Sequence, residues 1–197
     1  DFFIHLMGIM GEQLYNHCNG IDESHIHEVY EPAERSLSIG QTLFKDYTKD
    51  EIPIVIEEMV DDLSLRMRNE GFKCEVVSLV IVYASNKGGF SRQMSLLSKT
   101  DDTNVLTEAL FEIYDKHVID LPIRQVHIYF GKLTKYTNHE QLSLFMDEKE
   151  MENNHNLQKM TDILHNKYGK DIILRASALL DESTAKMRHS QIGGHRK

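Results

Sequence analysis

Gln141, Leu142, Leu144 and Phe145 stand together in a polar and acidic stretch, with residues 137–140 before them and 147–150 after. Large apolar side chains in such a setting mark a surface for another protein. Leu144 and Phe145 would fill apolar pockets while Gln141 makes polar contacts, a small buried hot spot. The competing reading tucks Leu142, Leu144 and Phe145 back onto the chain's own core. A second candidate set is dispersed along the chain. It comprises Ser36, Ser38, Gly40 and Thr42, then Ser91, Gln93 and Ser95, then Gln125, His127 and Tyr129. Arg35, Lys87, Arg92, Arg124, Lys132 and Lys135 lie at strand ends and turns around it. Hydroxyls, amides and main-chain N–H groups hold a phosphate backbone without reading sequence. An open antiparallel sheet also has a solvated polar face as a matter of course, and the residues alone leave both readings open.

No catalytic constellation accompanies these sets. There is no Gly-rich phosphate loop, no Ser/His/Asp or Cys/His arrangement, and no carboxylate set converging for metal-assisted phosphoryl transfer. Asp61 and Asp62 read as a solvated helix face, and Asp101 and Asp102 as a helix-start cap. Among eleven histidines only His25 and His27 are near neighbours, without a partner at ligand spacing, and the two cysteines, Cys18 and Cys74, are too far apart for a Cys-type zinc site. The chain itself is therefore expected to be no enzyme and to carry no metal or cofactor.

The elements that must position the dispersed set form a compact pattern from Arg35 onward. Residues 35–44 alternate, with Leu37, Ile39 and Leu43 on one side of a half-buried strand. Residues 50–69 place Ile52, Val55, Ile56, Met59, Val60, Leu63 and Met67 at helical spacing, with Asp50 as cap, Pro53 in the first turn and Gly71 as stop. Residues 74–84 are a β-branched strand, 85–89 a hairpin turn, and 90–97 the returning strand. A helix over 104–117 and a strand over 123–130 complete the order β-α-β-β-α-β. The expected fold is α+β: a split sandwich with a four-stranded, antiparallel-type sheet and two helices on one face. Strict alternation puts Arg92 on the helix side with Phe90 and Met94, and only a bulge would turn it out. Residues 1–30 read as a helical piece punctuated by Gly8, Gly11 and Gly20. Beyond 131 the chain is polar, with a modest amphipathic helix over 157–168 (Leu157, Met160, Ile163, Leu164) stopped by Gly169. From Ile172 it turns basic and is expected to be frayed.

At 197 residues and a formal charge of −9, the chain has ample length for a core, but its charge argues on its face against phosphate binding. Charge distribution matters more than the sum. There is no apolar run of membrane-spanning length and no secretion signal. A reducing, cytoplasmic setting and a piece of something longer are the expectations.

Placed on these segments, the chain resembles the C-terminal part of a Y-family translesion DNA polymerase of the bacterial UmuC/MucB/UvrX-like branch. Residues 8–15 and 19–22 resemble the end of that family's thumb, and residues 35–40 the opening strand of its little-finger domain. Residues 90–93 and 123–126 are similar to the later strands, and 174–177 with 193–195 to the ending of the branch. Residues 141–145 resemble the motif by which bacterial replication and repair proteins plug into a sliding clamp. The resemblance implies thumb end and linker over 1–33, a little-finger DNA-binding domain over 34–135, and a clamp-binding linker, short helix and basic tail over 136–197. It implies double-stranded primer–template DNA and a bacterial sliding clamp as partners, in DNA repair and the SOS response. A monomer without membrane association, near the nucleoid, is expected. The family's catalytic carboxylates and Mg²⁺ belong to a palm domain, which would precede this chain. Gln125 and Tyr129 depart from the family pattern, where Arg is common. Two other readings stand beside it: a module that docks a clamp without DNA affinity of its own, and a stand-alone ferredoxin-like enzyme or ligand-binding domain.

Overall fold

The computed structural model describes residues 2–22, 34–136, 148–192 and 195–196. Residues 1–33 and 34–197 cluster as two compact units. In the first, α1 (Phe2–Met7) and α2 (Ile9–Cys18) are divided by Gly8. Its φ of +59° lies in the left-handed region that L side chains rarely adopt.

In the second unit β1 (Leu37–Tyr47), α3 (Ile52–Asn69), β2 (Phe72–Tyr83), β3 (Gly89–Thr100), α4 (Thr103–His117) and β4 (Ile123–Gly131) follow in the expected order. The sheet runs β1-β4-β2-β3, and each neighbouring pair is antiparallel. Two β-α-β units are thus interleaved: α3 joins β1 to β2 with β4 between them, and α4 joins β3 to β4 with β2 between them. A short fifth strand, β5 (Thr134–Lys135), is added to the expected four and pairs with Phe72 and Lys73 of β2. The β2–β3 reversal closes where Tyr83 N donates to Gly88 O at 2.9 Å, and Ser85 and Asn86 both take positive φ in the turn.

The core lies between one sheet face and the helices, because the branched residues of β2 and β4 alternate toward α3 and α4. Val77, Leu79 and Ile81 of β2 and Val126, Ile128 and Phe130 of β4 are buried against Val55, Ile56 and Met59 of α3 and Leu106 and Leu110 of α4. Cys74 joins this core, and burial pushes its thiol up to about 12, so it is an inert apolar filler. Asp102 caps α4 as expected, accepting from Asn104 N (2.8 Å) and Val105 N (3.3 Å). Asp50 does not cap α3. The N-cap position is Glu51, whose carboxylate turns back to accept from Thr48 N (2.6 Å) and Lys45 Nζ (2.9 Å).

Two further expectations are corrected outside the sheet. The helix near 157–168 is longer, α5 (Glu148–Tyr168), and Gly169 stops it at φ +92°. Its apolar residues Leu157, Met160 and Ile163 are exposed, while Asp162 and Asn166 reach back to α3 through Arg68 and Asn69. The chain after 172 is not frayed up to Ile192. It continues from the turn Lys170–Ile172 into a second 3-10 turn, Ala176–Leu179, and a short helix, α6 (Ala185–His189). The two-residue strands β6 (Gln191–Ile192) and β7 (His195–Arg196) then pair. Ion pairs hold this strap down, since Lys170, Arg175 and Arg188 meet Asp61 and Asp62 of α3.

Candidate nucleic-acid interface

On the sheet face away from α3 and α4, the registers align three transverse rows of four residues. The first is Ser38–Tyr129–Ser78–Gln93, the second Gly40–His127–Val80–Ser91, and the third Thr42–Gln125–Val82–Gly89. Ser38, Gly40, Thr42, Ser91, Gln93, Gln125, His127 and Tyr129 therefore share one face, as alternation along each strand requires. Ser95 pairs with Val76 beyond the first row, and Ser36 is exposed just ahead of β1. None of the twelve residues is an acid, a Lys or an Arg.

Gly40 and His127 fit closely on this face. A Cβ on Gly40 would stand 2.2 Å from His127 Nδ1 and 2.8 Å from Cε1. The imidazole thus lies across the β1 backbone, in space that only glycine leaves. Its Nε2 is 3.4 Å from Gln125 Oε1. At the hairpin end, a Cβ on Gly89 would meet the Ile81 carbonyl oxygen at 2.1 Å, so this close strand approach also requires glycine.

The cations expected to rim the face are distributed less simply. Lys87 is exposed in the hairpin turn. The Arg35 guanidinium sits over the Phe72 ring, 5.6 Å from its centroid. Arg124 Nη1 donates to Phe44 O and to Asp46 Oδ1, each at 3.3 Å. Arg92 falls in the helix-side row Ile39–Ile128–Leu79–Arg92. No register shift turns it outward, since the β2–β3 irregularity lies between Cys74 and Val76. It nevertheless stays exposed because β3 is an edge strand, and its Nη1 donates to Ser91 O at 2.8 Å.

Sequence reasoning missed what β2 adds to this face: Ser78, Val80 and Val82, all half-buried. A central strand reads as one β-branched run, so its outward residues carry no polar signal. The middle of the face is therefore partly apolar.

Glu57, Glu58, Asp61 and Asp62 cluster on α3, on the opposite side of the sheet, and Asp61–Asp62 are not a simply solvated pair. Asp62 is buried and receives Arg188 Nε (2.8 Å), Lys170 Nζ (2.7 Å) and His189 Nε2 (3.2 Å). Burial would raise its carboxyl, but the His189 hydrogen bond and the Arg188 and Lys170 charges hold it well below the usual carboxylate range. His189 is held above its ordinary value by its bond to Asp62, against burial and with help from Asp171 at 2.6 Å. Buried Glu58 accepts from Thr184 N at 3.0 Å, and Arg175 clamps Asp61 through Nε (2.6 Å) and Nη2 (2.9 Å). Gln41 of β1 completes the seam, its Oε1 accepting from Arg188 Nη1 (3.1 Å) and Thr184 Oγ1 (3.2 Å). A cavity of about 390 Å³ remains between α3, α5 and the strap, floored by Leu65, Leu174, Ala178 and Ala185. Among the described residues no group of three His, Cys, Asp or Glu side chains is placed to hold a metal ion. No helix among them is long and apolar enough to cross a membrane. The other candidate set, Gln141, Leu142, Leu144 and Phe145, lies outside the described residues.

Residues 34–144, more than half of the chain, match the impB/mucB/samB family C-terminal domain. Over 192 residues the chain is 32% identical to UvrX of Bacillus subtilis (strain 168), a protein named for UV-damage repair, covering 96% of this chain and 45% of that protein. It is 30% identical over 195 residues to DNA polymerase IV 2 of the same organism, and 29% identical over 193 residues to DNA polymerase IV 2 of Halalkalibacterium halodurans. Each of those matches covers 96% of this chain and 46% of the relative. The chain thus spans about half the length of the curated relatives it matches. With the β-α-β-β-α-β sheet lying in the residues that carry the match, the chain belongs to the impB/mucB/samB family, of which residues 34–144 are the C-terminal domain.

Proposed function

We propose that the open face of the sheet holds primer–template duplex by sequence-independent backbone contacts, in a lesion-bypass DNA polymerase of DNA repair and the SOS response. Residues 141–145 dock the same protein onto a sliding clamp in this reading. The observation that carries it is the run of hydroxyl, amide and imidazole groups over three rows without a carboxylate, while the acid cluster of α3 lies on the far side under the strap. Such a face accepts phosphates without a like-charge penalty from its own side chains, and the distribution of the net charge of −9 then matters more than its sum. Catalytic carboxylates and their Mg²⁺ belong, in this reading, to a part of the whole protein that this chain does not include. The α3 carboxylates Glu57, Glu58, Asp61 and Asp62 are engaged with Arg, Lys, His and Ser/Thr partners of the strap instead. Clamp tethering would supplement a weak grip by raising local concentration. A cytoplasmic monomer near the nucleoid fits these roles.

A second reading keeps the clamp and drops the DNA. It draws on the apolar centre at Val80 and Val82 and on Arg124 being committed to Asp46. Duplex binding at low salt decides between them. The DNA reading expects weak, salt-sensitive binding, reduced by a Ser38→Glu/Ser91→Glu double variant that places acids on the face. Clamp binding lost on Leu144→Ala/Phe145→Ala, with no duplex binding even at low salt, would establish the second reading. Absence of both would remove both.

A further inference from the structure

We propose that the cavity between α3, α5 and the strap is a docking site for an acidic segment of another protein that carries a bulky apolar anchor. This surface is separate from the open sheet face and does not depend on the DNA reading.

The gap follows from how α5 is held. Its bonds to α3 fall within residues 162–166, where Asp162 takes Arg68 and Asn166 exchanges hydrogen bonds with Asn69. One turn earlier on the same helix face, Leu157 and Gln158 line a cavity of about 390 Å³ instead of closing on α3. Leu65, Leu174, Ala178 and Ala185 give it an apolar floor, and its volume falls within the roughly 300–1,000 Å³ of sites that take a ligand. Leu157 is nevertheless 67% exposed, and Met160, one turn further along, is 60% exposed. Large apolar side chains left open beside a pocket mark a surface that a partner covers, with the pocket receiving the anchor.

Charge selects the partner. The carboxylates that line the cavity are all taken: Glu58 by Thr184, Asp61 by Arg175, Asp62 by Arg188 and Lys170, and Asp162 by Arg68. Residues 153–168 contain no acid besides Asp162. Lys159 and Lys167 in the same stretch are exposed and make no ion pair among the described residues. Lys167 rests only over the Tyr168 ring, 5.0 Å from its centroid. The free charge of this helix stretch is therefore positive, in a chain whose net charge is −9. An acidic partner is attracted to it and a basic one is not. Asn154 and Gln158 also line the cavity and make no hydrogen bond among the described residues, so their carboxamides can serve the occupant's main chain. A nucleic acid would match the lysines and leave the apolar floor unfilled. A peptide with Asp and Glu around a Phe or Leu satisfies both.

The test uses the full 197-residue chain and a fluorescein-labelled peptide, Asp-Glu-Asp-Gly-Phe-Leu-Gly-Asp-Glu, read by fluorescence anisotropy. The peptide should bind at low salt and more weakly as salt rises. Replacing its Phe and Leu by Ala, or its acids by Lys, should each weaken binding by about tenfold or more. On the protein, Leu157→Ser and the double variant Lys159→Glu/Lys167→Glu should each do the same. These side chains are exposed, so both variants should keep the wild-type thermal midpoint. Lys116→Glu, on the exposed side of α4, should bind as the wild type does. A wild type that does not bind the acidic peptide, or binds its lysine counterpart equally well, would overturn the proposal. So would undiminished binding by Leu157→Ser or by the double lysine variant, or an equal loss in Lys116→Glu.

Discussion

Asp62 of α3 and His189 of α6 face each other at 3.2 Å across the seam between the helix layer and the strap, and Asp171 holds the other ring nitrogen at 2.6 Å. The imidazole thus bridges two carboxylates, one buried and one exposed. This pair fixes how strap docking must vary with pH. Asp62 titrates below its ordinary 3.8, so its contribution is present above that value and is lost as pH falls through the folded-state value. His189 titrates above its ordinary 6.5, so its contribution is complete below 6.5 and is lost as pH rises through the folded-state value. Amide-exchange protection of residues 176–189 should therefore be greatest between about pH 4 and about pH 6.5. It should decline on the alkaline side in the wild type and show no such decline in His189→Gln. Equal protection of the wild type at about pH 6 and about pH 9 would remove His189 from the lock.

The attachment of α5 rests on a different ion pair. Arg68 Nε and Nη2 grip Asp162 at 2.6 and 2.9 Å, and its Nη1 donates to Asp101 O and Thr103 Oγ1 at 2.9 Å. Both side chains are nearly buried, at 12% and 13% exposure. Arg68→Ala leaves a carboxylate and two acceptors unpaired and should cost about 3–5 kcal/mol, with faster amide exchange along residues 153–168. The exposed Arg66–Glu70 pair one turn away is the control, and Arg66→Ala should change stability by less than about 1 kcal/mol in denaturant melts. Comparable losses at the two positions would mean that α5 does not depend on the ion pair.

Gly89 and Gly40 should respond oppositely to the same substitution. Alanine at Gly89 would drive a Cβ into the Ile81 carbonyl, which belongs to the β2–β3 ladder and cannot move aside. Gly89→Ala should therefore lower the thermal midpoint by several degrees, as about 1–3 kcal/mol of overpacking does in a domain of this size. Gly40→Ala, which displaces only the His127 ring, should lower it far less. Equal midpoints for the two variants would show that the hairpin end accommodates a side chain.

The sheet and its two helices were legible because their residues obey simple periods. Leu37, Ile39 and Leu43 alternate, and Val55, Met59 and Leu63 recur each turn, so pattern and burial agree. The polar face was legible for the same reason on β1, β3 and β4. What pattern could not show is pairing that depends on the third dimension. Leu157, Met160 and Ile163 announce a helix whose apolar stripe should pack, yet Arg68 and Asn69 hold the helix by its polar side. The tail looked unstructured because Arg175, Arg188 and Lys170 are ordinary surface residues until they meet Asp61 and Asp62, more than a hundred positions earlier. A sequence shows two opposite charge clusters, but not that one lies on the other.

The interleaved sheet also orders the making of the domain. β1 is joined to the sheet through β4, and β4 alone lies between β1 and the β2–β3 hairpin. Until residues 123–131 exist, the first strand and the hairpin are separate pieces with a gap one strand wide between them, and α3 has no complete floor to lie on. A chain emerging from a ribosome must hold those pieces apart from wrong partners for some eighty residues before the last strand joins them, and a chain cut between Thr100 and Ile123 would leave β1 unpaired and the β2–β3 hairpin with an open edge. The open polar face, with His127 at its centre, is complete only once β4 has taken its place between β1 and β2.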